Sequence, residues 1–458
     1  MHSNLWDKIK DFDLNATSNG NGFSLRLARE NDWPYNFTKQ VIIEYKKFMF
    51  LAATNDFMVS PSRIIDEVWH LHLTYTKSYN DFCVILGKKI EHNPSDFSDN
   101  DIQKYKEAKE KTRVEYERHF GKEPVEYWKH GSIFEQLNFE KARFKLRTKV
   151  IFILIAFIIA YYPLFLLTRE FIVSIDSLFF VLSNLVLFAV ALIVLELYNR
   201  QAIKKIIDSL NKDSILFNLT PLEMVYLRSN NLVKVIHGVV NNLIKEKKVR
   251  VGDNFKLYRI EKNLTSIDYQ EPIIDYISNH GDFYPNVLSK VIYRSNYMNI
   301  KNSMEALKKY FLKSKVFNKI AIINMLVFAS ILTFSFLRLT NGVVRNKPIS
   351  FLFILILVML FASLAYFRRL LNFLAMQTIP EYYEINILSK EKINESWAWN
   401  YFLIADAIFA VEFSPLVKYV SSNNGDSGSS LCGTSCGSSC GSSCGSSCGG
   451  GCGGCGGD

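Results

Sequence analysis

The chain has 458 residues, enough for about two to four domains at the usual domain size and too many for a single small module. Hydrophobic residues make up 49%, aromatic residues 14% and charged residues 21%, which excludes a disordered chain and turns attention to a membrane. Lys and Arg outnumber Asp and Glu by 54 to 44, net +10; such an excess fits nucleic acid, acidic lipid or topology signals at membrane spans, and the positions of the charges decide among them.

The first residues, MHSNLWDKIKDFDLN, carry charge where a cleaved secretion signal needs an unbroken apolar core, so none is expected. Residues 1–140 are polar, rich in aromatic side chains and read as a helical domain. From Phe37 to Ala53, Val41, Ile42, Tyr45, Phe48, Met49 and Ala52 recur at helical spacing. Val59-Ser60-Pro61-Ser62 interrupts the pattern, Ser62 is placed to cap the next helix, and Ile64, Ile65, Val68, Leu71 and Tyr75 form its apolar face. A third helix is expected from Asp101 to about His119, stopped by Gly121 with Pro124 beyond.

Five histidines, His70, His72, His92, His119 and His130, fall in this domain. Glu67 precedes His70 by three residues and Asp66 by four, so a carboxylate and an imidazole meet on one helical face, as in a single Glu-x-x-His half-site. His72 points about 200° away from His70 on an ideal helix, and the two do not chelate one ion without distortion. Two readings stand. In one, Trp69, His70, His72 and Tyr75 are packed, hydrogen-bonded core residues; in the other, Glu67, His70, His72 and His92 gather at a metal and make the domain an enzyme. Cys83, beside Phe82, reads as a packed small hydrophobe.

The residues Val59-Ser60-Pro61-Ser62, Asp66-Glu67-Val68-Trp69-His70-Leu71-His72, Thr76, Tyr79, Phe82-Cys83 and His92-Asn93-Pro94 resemble the N-terminal domain of the glycine-rich-domain-containing proteins of plants and bacteria, over roughly residues 35–130. The shared pattern runs from a proline and Ser or Thr through an acidic residue to valine-tryptophan-histidine-x-histidine. No chemistry is established for that domain, so the resemblance implies a relative and no mechanism.

Val150–Leu167 and Leu178–Leu197 each approach the roughly 20 apolar residues that cross a bilayer, and Ile320–Leu337 and Ile349–Phe367 form a second pair. Four spans in two hairpins, 150–197 and 320–367, are expected. Lys141, Arg143, Lys145, Arg147 and Lys149 precede the first, Arg200, Lys204 and Lys205 follow the second, Lys313, Lys315 and Lys319 precede the third, and Arg368 and Arg369 follow the fourth. The positive-inside bias then puts both termini and the middle segment on the cytosolic side, with the bilayer as partner. A fifth apolar stretch, Trp397–Val420, holds Asp406, Glu412 and Pro415, and carboxylates at mid-bilayer cost several kcal/mol. Residues 368–420 therefore read as an interfacial or protein-packed segment.

Between the hairpins, 200–318 reads as a small α+β domain. Thr220-Pro221-Leu222-Glu223 starts a helix, Asn230 and Asn231 interrupt it, a second helix runs from Leu232 to about Lys247, and a hairpin follows across Gly252-Asp253-Asn254. That order is compatible with a winged-helix-like unit. Lys245, Lys247, Lys248, Arg250 and Lys256 line a basic edge, but tethering between spans favours a lipid surface or a partner over nucleic acid. Residues 200–455, with the start Leu219-Thr220-Pro221-Leu222-Glu223-Met224-Val225-Tyr226-Leu227-Arg228, resemble an uncharacterised bacterial membrane-protein family with Cys/Gly-rich C-termini; Ser229-Asn230-Asn231 stands where those relatives have glycines.

The tail, 421–458, cannot bury a core and is expected to be disordered when unmodified. Cys432, Cys436, Cys440, Cys444, Cys448 and Cys452 recur every four residues, and Cys455 follows at three. Thiolates so spaced on a glycine chain can turn back onto soft Zn or Cu. They equally make a repeated substrate for cysteine modification, or an incidental low-complexity linker. The tail also resembles substrates of multinuclear non-haem iron oxidases that convert cysteines in copper-linked peptides, which implies such an oxidase as a partner. No nucleophile triad, phosphate loop, dinucleotide fingerprint or zinc-protease motif occurs in the sequence, so an enzyme is the minority reading. A membrane scaffold is the third.

Overall fold

The structure is a computed structural model that describes residues 2–16, 22–92, 99–137, 139–209, 215–260, 269–373, 378–387 and 396–423. The chain is mainly helical. It begins with α1 (His2–Asp11), α2 (Phe23–Asn31), α3 (Tyr35–Thr54), α4 (Arg63–Thr74), α5 (Thr76–Leu86), α6 (Asp99–Phe120) and α7 (Val125–Trp128). Two long apolar helices follow, α8 (Leu146–Ser174) and α9 (Ser177–Asp208). Then come α10 (Pro221–Ser229), α11 (Leu232–Lys245), β1 (Val249–Val251), β2 (Lys256–Arg259), α12 (Glu271–Tyr276), β3 (Asp282–Phe283), α13 (Tyr284–Val291) and α14 (Ser295–Lys313). A second apolar pair, α15 (Lys315–Val344) and α16 (Ser350–Phe373), precedes the short helices α17 (Ile379–Tyr382), α18 (Trp397–Ile404) and α19 (Ser414–Asn423). Two compact units result: Met1–Asn230 with Met298–Glu395, and Asn231–Tyr297 with the described part of Ser396–Asp458.

In the first unit α3 is the axis of the N-terminal domain. Val41, Tyr45, Phe48 and Met49, spaced as one helical face, have no exposed surface, and α1, α2, α4 and α6 pack around them. Ser62 accepts a hydrogen bond from the Ile65 amide at 3.2 Å and starts α4. Gly121, at φ +81°, ends α6 in the left-handed conformation that glycine adopts without strain. A buried carboxylate stitches the far side: Glu44 accepts from the Tyr116 hydroxyl and the Trp128 indole, both at 2.8 Å, and from Lys47. Three partners offset the cost of taking its charge from water.

The same unit carries the apolar helices. Leu146–Ser174, Ser177–Asp208, Lys315–Val344 and Ser350–Leu370 are long and apolar enough to cross a membrane. α15 is the central one, packed against α8, α9 and α16 around Phe188, Leu195, Phe328, Ile331 and Met359 at one level and Ile172, Phe180, Leu337, Leu352 and Ile356 at another. The segments entering α8 and α15 are stapled together. Ala142 donates its amide to the Lys313 carbonyl at 2.9 Å, and Lys315 donates to the Glu140 carbonyl at 2.7 Å. α10 begins with a reciprocal cap in which Thr220 and Glu223 satisfy each other's amides, and Glu223 also accepts from the Tyr35 amide at 3.1 Å.

The second unit is built on α11 and a three-stranded antiparallel sheet in the order β1-β2-β3, with Val249 opposite Arg259 and Leu257 opposite Asp282. The stretch Trp397–Val420 is not one helix. It breaks at Ala405 (φ 52°) into α18 and α19, and both pieces bind to this unit: the Tyr401 hydroxyl donates to the Lys234 carbonyl at 2.7 Å, and Asn241 accepts from the Ala410 amide at 2.8 Å.

Candidate metal centre

α4 divides its histidines between two environments, because residues two apart on a helix face nearly opposite ways. Trp69 and His72 turn inward with Ile65 and Val68, while Asp66 and His70, one turn apart, stay at the surface. A third group comes from beyond α5. The Trp69 indole donates to the Tyr79 hydroxyl at 3.2 Å, and that hydroxyl donates to the Ile90 carbonyl. This relay fixes the chain two residues before His92, whose ring meets Trp69 edge-on at 4.6 Å between centroids.

His92 thereby lies over the outer face of α4. Its Nε2 is 3.0 Å from Asp66 Oδ1, His70 Nε2 is 3.8 Å from Asp66 Oδ2, and the two imidazoles are 4.5 Å apart centre to centre. One donor atom from each of Asp66, His70 and His92 fits within a 4.8 Å span. Ligands at about 2.0–2.1 Å around a tetrahedral ion stand about 3.3 Å from one another; here the His92 Nε2 hydrogen-bonds Asp66 Oδ1 and His70 faces the other carboxylate oxygen, Oδ2, so the three groups are neighbours that would close onto one ion by small side-chain shifts. The side chains are 31%, 52% and 18% exposed respectively, so the set is open on its solvent side. Two imidazoles and a carboxylate suit Zn and other first-row divalent ions, and leave coordination positions free for water or a substrate.

Of Glu67, His70, His72 and His92, the structure brings together His70 and His92. Glu67 is exposed beside them and is not one of the three donors. His72 has no exposed surface; its Nδ1 lies 2.8 Å from the Tyr45 hydroxyl and its Nε2 3.1 Å from Ser78 Oγ, among Phe12, Phe23 and Phe82. Burial, opposed by the hydrogen bond at Ser78, lowers its pKa from 6.5 to about 4, so it is a neutral core imidazole at physiological pH. Asp66 is the donor absent from the sequence-derived set, although its four-residue spacing to His70 was visible. Cys83 is buried. The tail thiols Cys432, Cys436, Cys440, Cys444, Cys448, Cys452 and Cys455 lie outside the described residues, as do Asn93 and Pro94.

Comparison with known proteins covers the same part of the chain. Residues 27–123 match the UCP032817-like family model. Asp66, His70 and His92 all lie in this UCP032817-like segment, as does the Trp69–Tyr79 relay that positions them. Glycine-rich domain-containing protein 1 of Arabidopsis thaliana is 27% identical over 139 residues, 29% of this chain and 16% of that protein. Glycine-rich domain-containing protein 2 of the same plant is 29% identical over 103 residues, 21% of this chain and 13% of that protein. The chain thus spans less than a fifth of the length of these curated relatives. No solved structure matches.

Proposed function

We propose that this chain is a membrane-embedded metal-binding protein, in which Asp66, His70 and His92 hold one divalent transition ion on the N-terminal domain. The observation that carries the reading is the convergence of three donor atoms, from a helix and a separately anchored loop, within 4.8 Å. The four long apolar helices supply the membrane part, and the lysines and arginines flanking them favour cytosolic termini; a bacterial inner membrane is what the resemblance of residues 200–455 to bacterial membrane proteins implies. The middle unit, helices with a small antiparallel sheet, is compatible with a winged-helix-like docking module, and the likeness of residues 200–455 to bacterial membrane proteins with Cys/Gly tails fits the same picture.

The seven tail cysteines favour a second, softer metal site or a substrate for an iron-dependent cysteine-modifying oxidase. Metal analysis separates the two sites. The full chain with its seven tail cysteines changed to serine, loaded with Zn or Co, is expected to keep one equivalent. The same chain carrying His70→Ala and His92→Ala is expected to lose it with unchanged helix content. Full retention of metal by the double variant refutes the site. A native mass increment confined to 431–458 marks the tail as modified.

A further inference from the structure

Two donors of the metal centre come from a helix and the third from an irregular segment, so they are held in different ways. Asp66 and His70 lie one turn apart on α4, whose backbone hydrogen bonds fix both. His92 ends a stretch that leaves α5 at Gly87, where φ is +75°, and has no regular structure. Among the described residues, the Ile90 carbonyl is the one backbone group from Lys88 to His92 that forms a hydrogen bond. Its donor is the Tyr79 hydroxyl. A single oxygen atom on α5 thus tethers the backbone that carries His92.

That oxygen is itself well placed. α4 and α5 share Tyr75, which closes one helix and opens the next, so Trp69 and Tyr79 face each other across a tight corner. The Tyr79 ring is buried edge-on to His72 at 5.2 Å, and the Trp69 indole donates to its hydroxyl at 3.2 Å. Burial, opposed by the indole, pushes the phenol up to about 12, so it keeps the proton that it gives to Ile90. The same indole meets the His92 ring edge-on at 4.6 Å. One pair of side chains therefore fixes both the backbone and the ring of His92, and neither is among the three donors.

A five-residue segment without such a tether samples many positions of its imidazole, and ordering it around an ion then opposes binding. Groups that orient a ligand without touching the metal typically carry roughly 10–100-fold of a site's affinity. The Asp66–His70 pair alone supplies two donors, so the placement of His92 decides whether three converge.

We propose that Tyr79 is a positioning residue of the metal centre, acting through the Ile90 carbonyl to hold His92 against Trp69 and over Asp66 and His70. This role rests on the metal-binding reading and deepens it.

The test uses the full chain with its seven tail cysteines changed to serine, purified in mild detergent and titrated with Co, whose visible absorption reports coordination. The parent chain is read first, and a parent that binds no Co refutes the metal centre itself. With one equivalent bound, Y79F is expected to lower Co affinity about tenfold or more and to weaken the visible absorption. Y45F removes another buried hydroxyl, 2.8 Å from His72 on the inner side of α4, and is expected to leave the affinity unchanged. H92A lowers affinity by itself, and Y79F added to H92A is expected to lower it no further, because the hydroxyl acts only through His92. Equal affinity in the parent and Y79F overturns the role, as does an equal loss in Y45F or a full further loss in H92A/Y79F. Should Y79F fail to fold, judged by helix content and elution volume, W69F takes its place. It removes the donor to the Tyr79 hydroxyl while keeping a ring against His92, and an affinity equal to that of the parent then overturns the role.

Discussion

His70 and His72 sit two residues apart, and their roles separate by burial alone. His72→Ala leaves the Tyr45 hydroxyl without its 2.8 Å partner and opens a cavity among aromatic rings, so denaturant unfolding is expected to show a loss of about 3 kcal/mol. His70→Ala removes a half-exposed ring, and its stability is expected to stay within about 0.5 kcal/mol of wild type while metal affinity falls. The reverse pattern refutes the division. A second buried imidazole gives a pH dependence. Burial, aided by Lys234, lowers the pKa of His237 from 6.5 to about 3, with Tyr284 at its Nδ1. Between pH 6.5 and 3 the unfolded chain takes up a proton there that the folded chain does not. Stability contributed by the neutral ring is present above pH 6.5 and lost as pH falls, at up to about 1.4 kcal/mol per unit. His237→Gln, compared with wild type in denaturation at pH 7 and pH 5.5, is expected to be less acid-sensitive by about 1 kcal/mol; an unchanged difference refutes the assignment.

At the scale of elements, the sequence marked what local chemistry dictates. Apolar periodicity outlined α3 and α4, Ser62 and the Thr220–Glu223 pair marked helix starts, Gly121 marked a stop, and Val249–Arg259 contained the hairpin. Long-range contacts were not legible. Nothing near His92 in sequence announces Asp66; the Trp69–Tyr79–Ile90 relay brings them together across 26 residues. Nor does hydropathy show what joins the apolar helices. Asn199 and Asn324 exchange amide hydrogen bonds at 2.9 and 2.8 Å between α9 and α15, and Asn199 also donates to the Tyr366 hydroxyl on α16. Both amides are buried. Asn324→Leu is expected to weaken the bundle by about 1–2 kcal/mol by leaving the buried Asn199 Oδ1 without its donor, and Asn199→Leu/Asn324→Leu to recover part of that loss. Additive losses in a denaturation cycle refute the coupling. Gly238 is a second such contact. A Cβ there would lie 2.4 Å from the Tyr401 ring, so Gly238→Ala is expected to loosen α18 from α11, read as faster proteolysis after Trp397.

For the whole molecule, the decisive question is which side of the membrane the tail occupies. Four crossings return the chain to its starting side, and the cationic residues cluster before α8, after α9, before α15 and after the apolar part of α16. In the second unit, Asp406 and Glu412 fall at or after the break that splits Trp397–Val420 into two short packed helices, neither long enough for a fifth crossing. The N-terminal domain, the middle unit and the tail are therefore expected on one face, the cytosolic one. The chain carries its own reporter, because the cysteine outside the tail is Cys83, 8% exposed on α5. A membrane-impermeant maleimide is expected to leave intact cells' protein unlabelled and to label the tail after lysis. Labelling before lysis refutes the topology and moves the thiols to an oxidising compartment, where disulfides compete with metal. Protection that persists after lysis and is relieved by a chelator shows thiolates held by metal. Protection that persists with both chelator and reductant, with a shifted tail mass, shows that they have been modified.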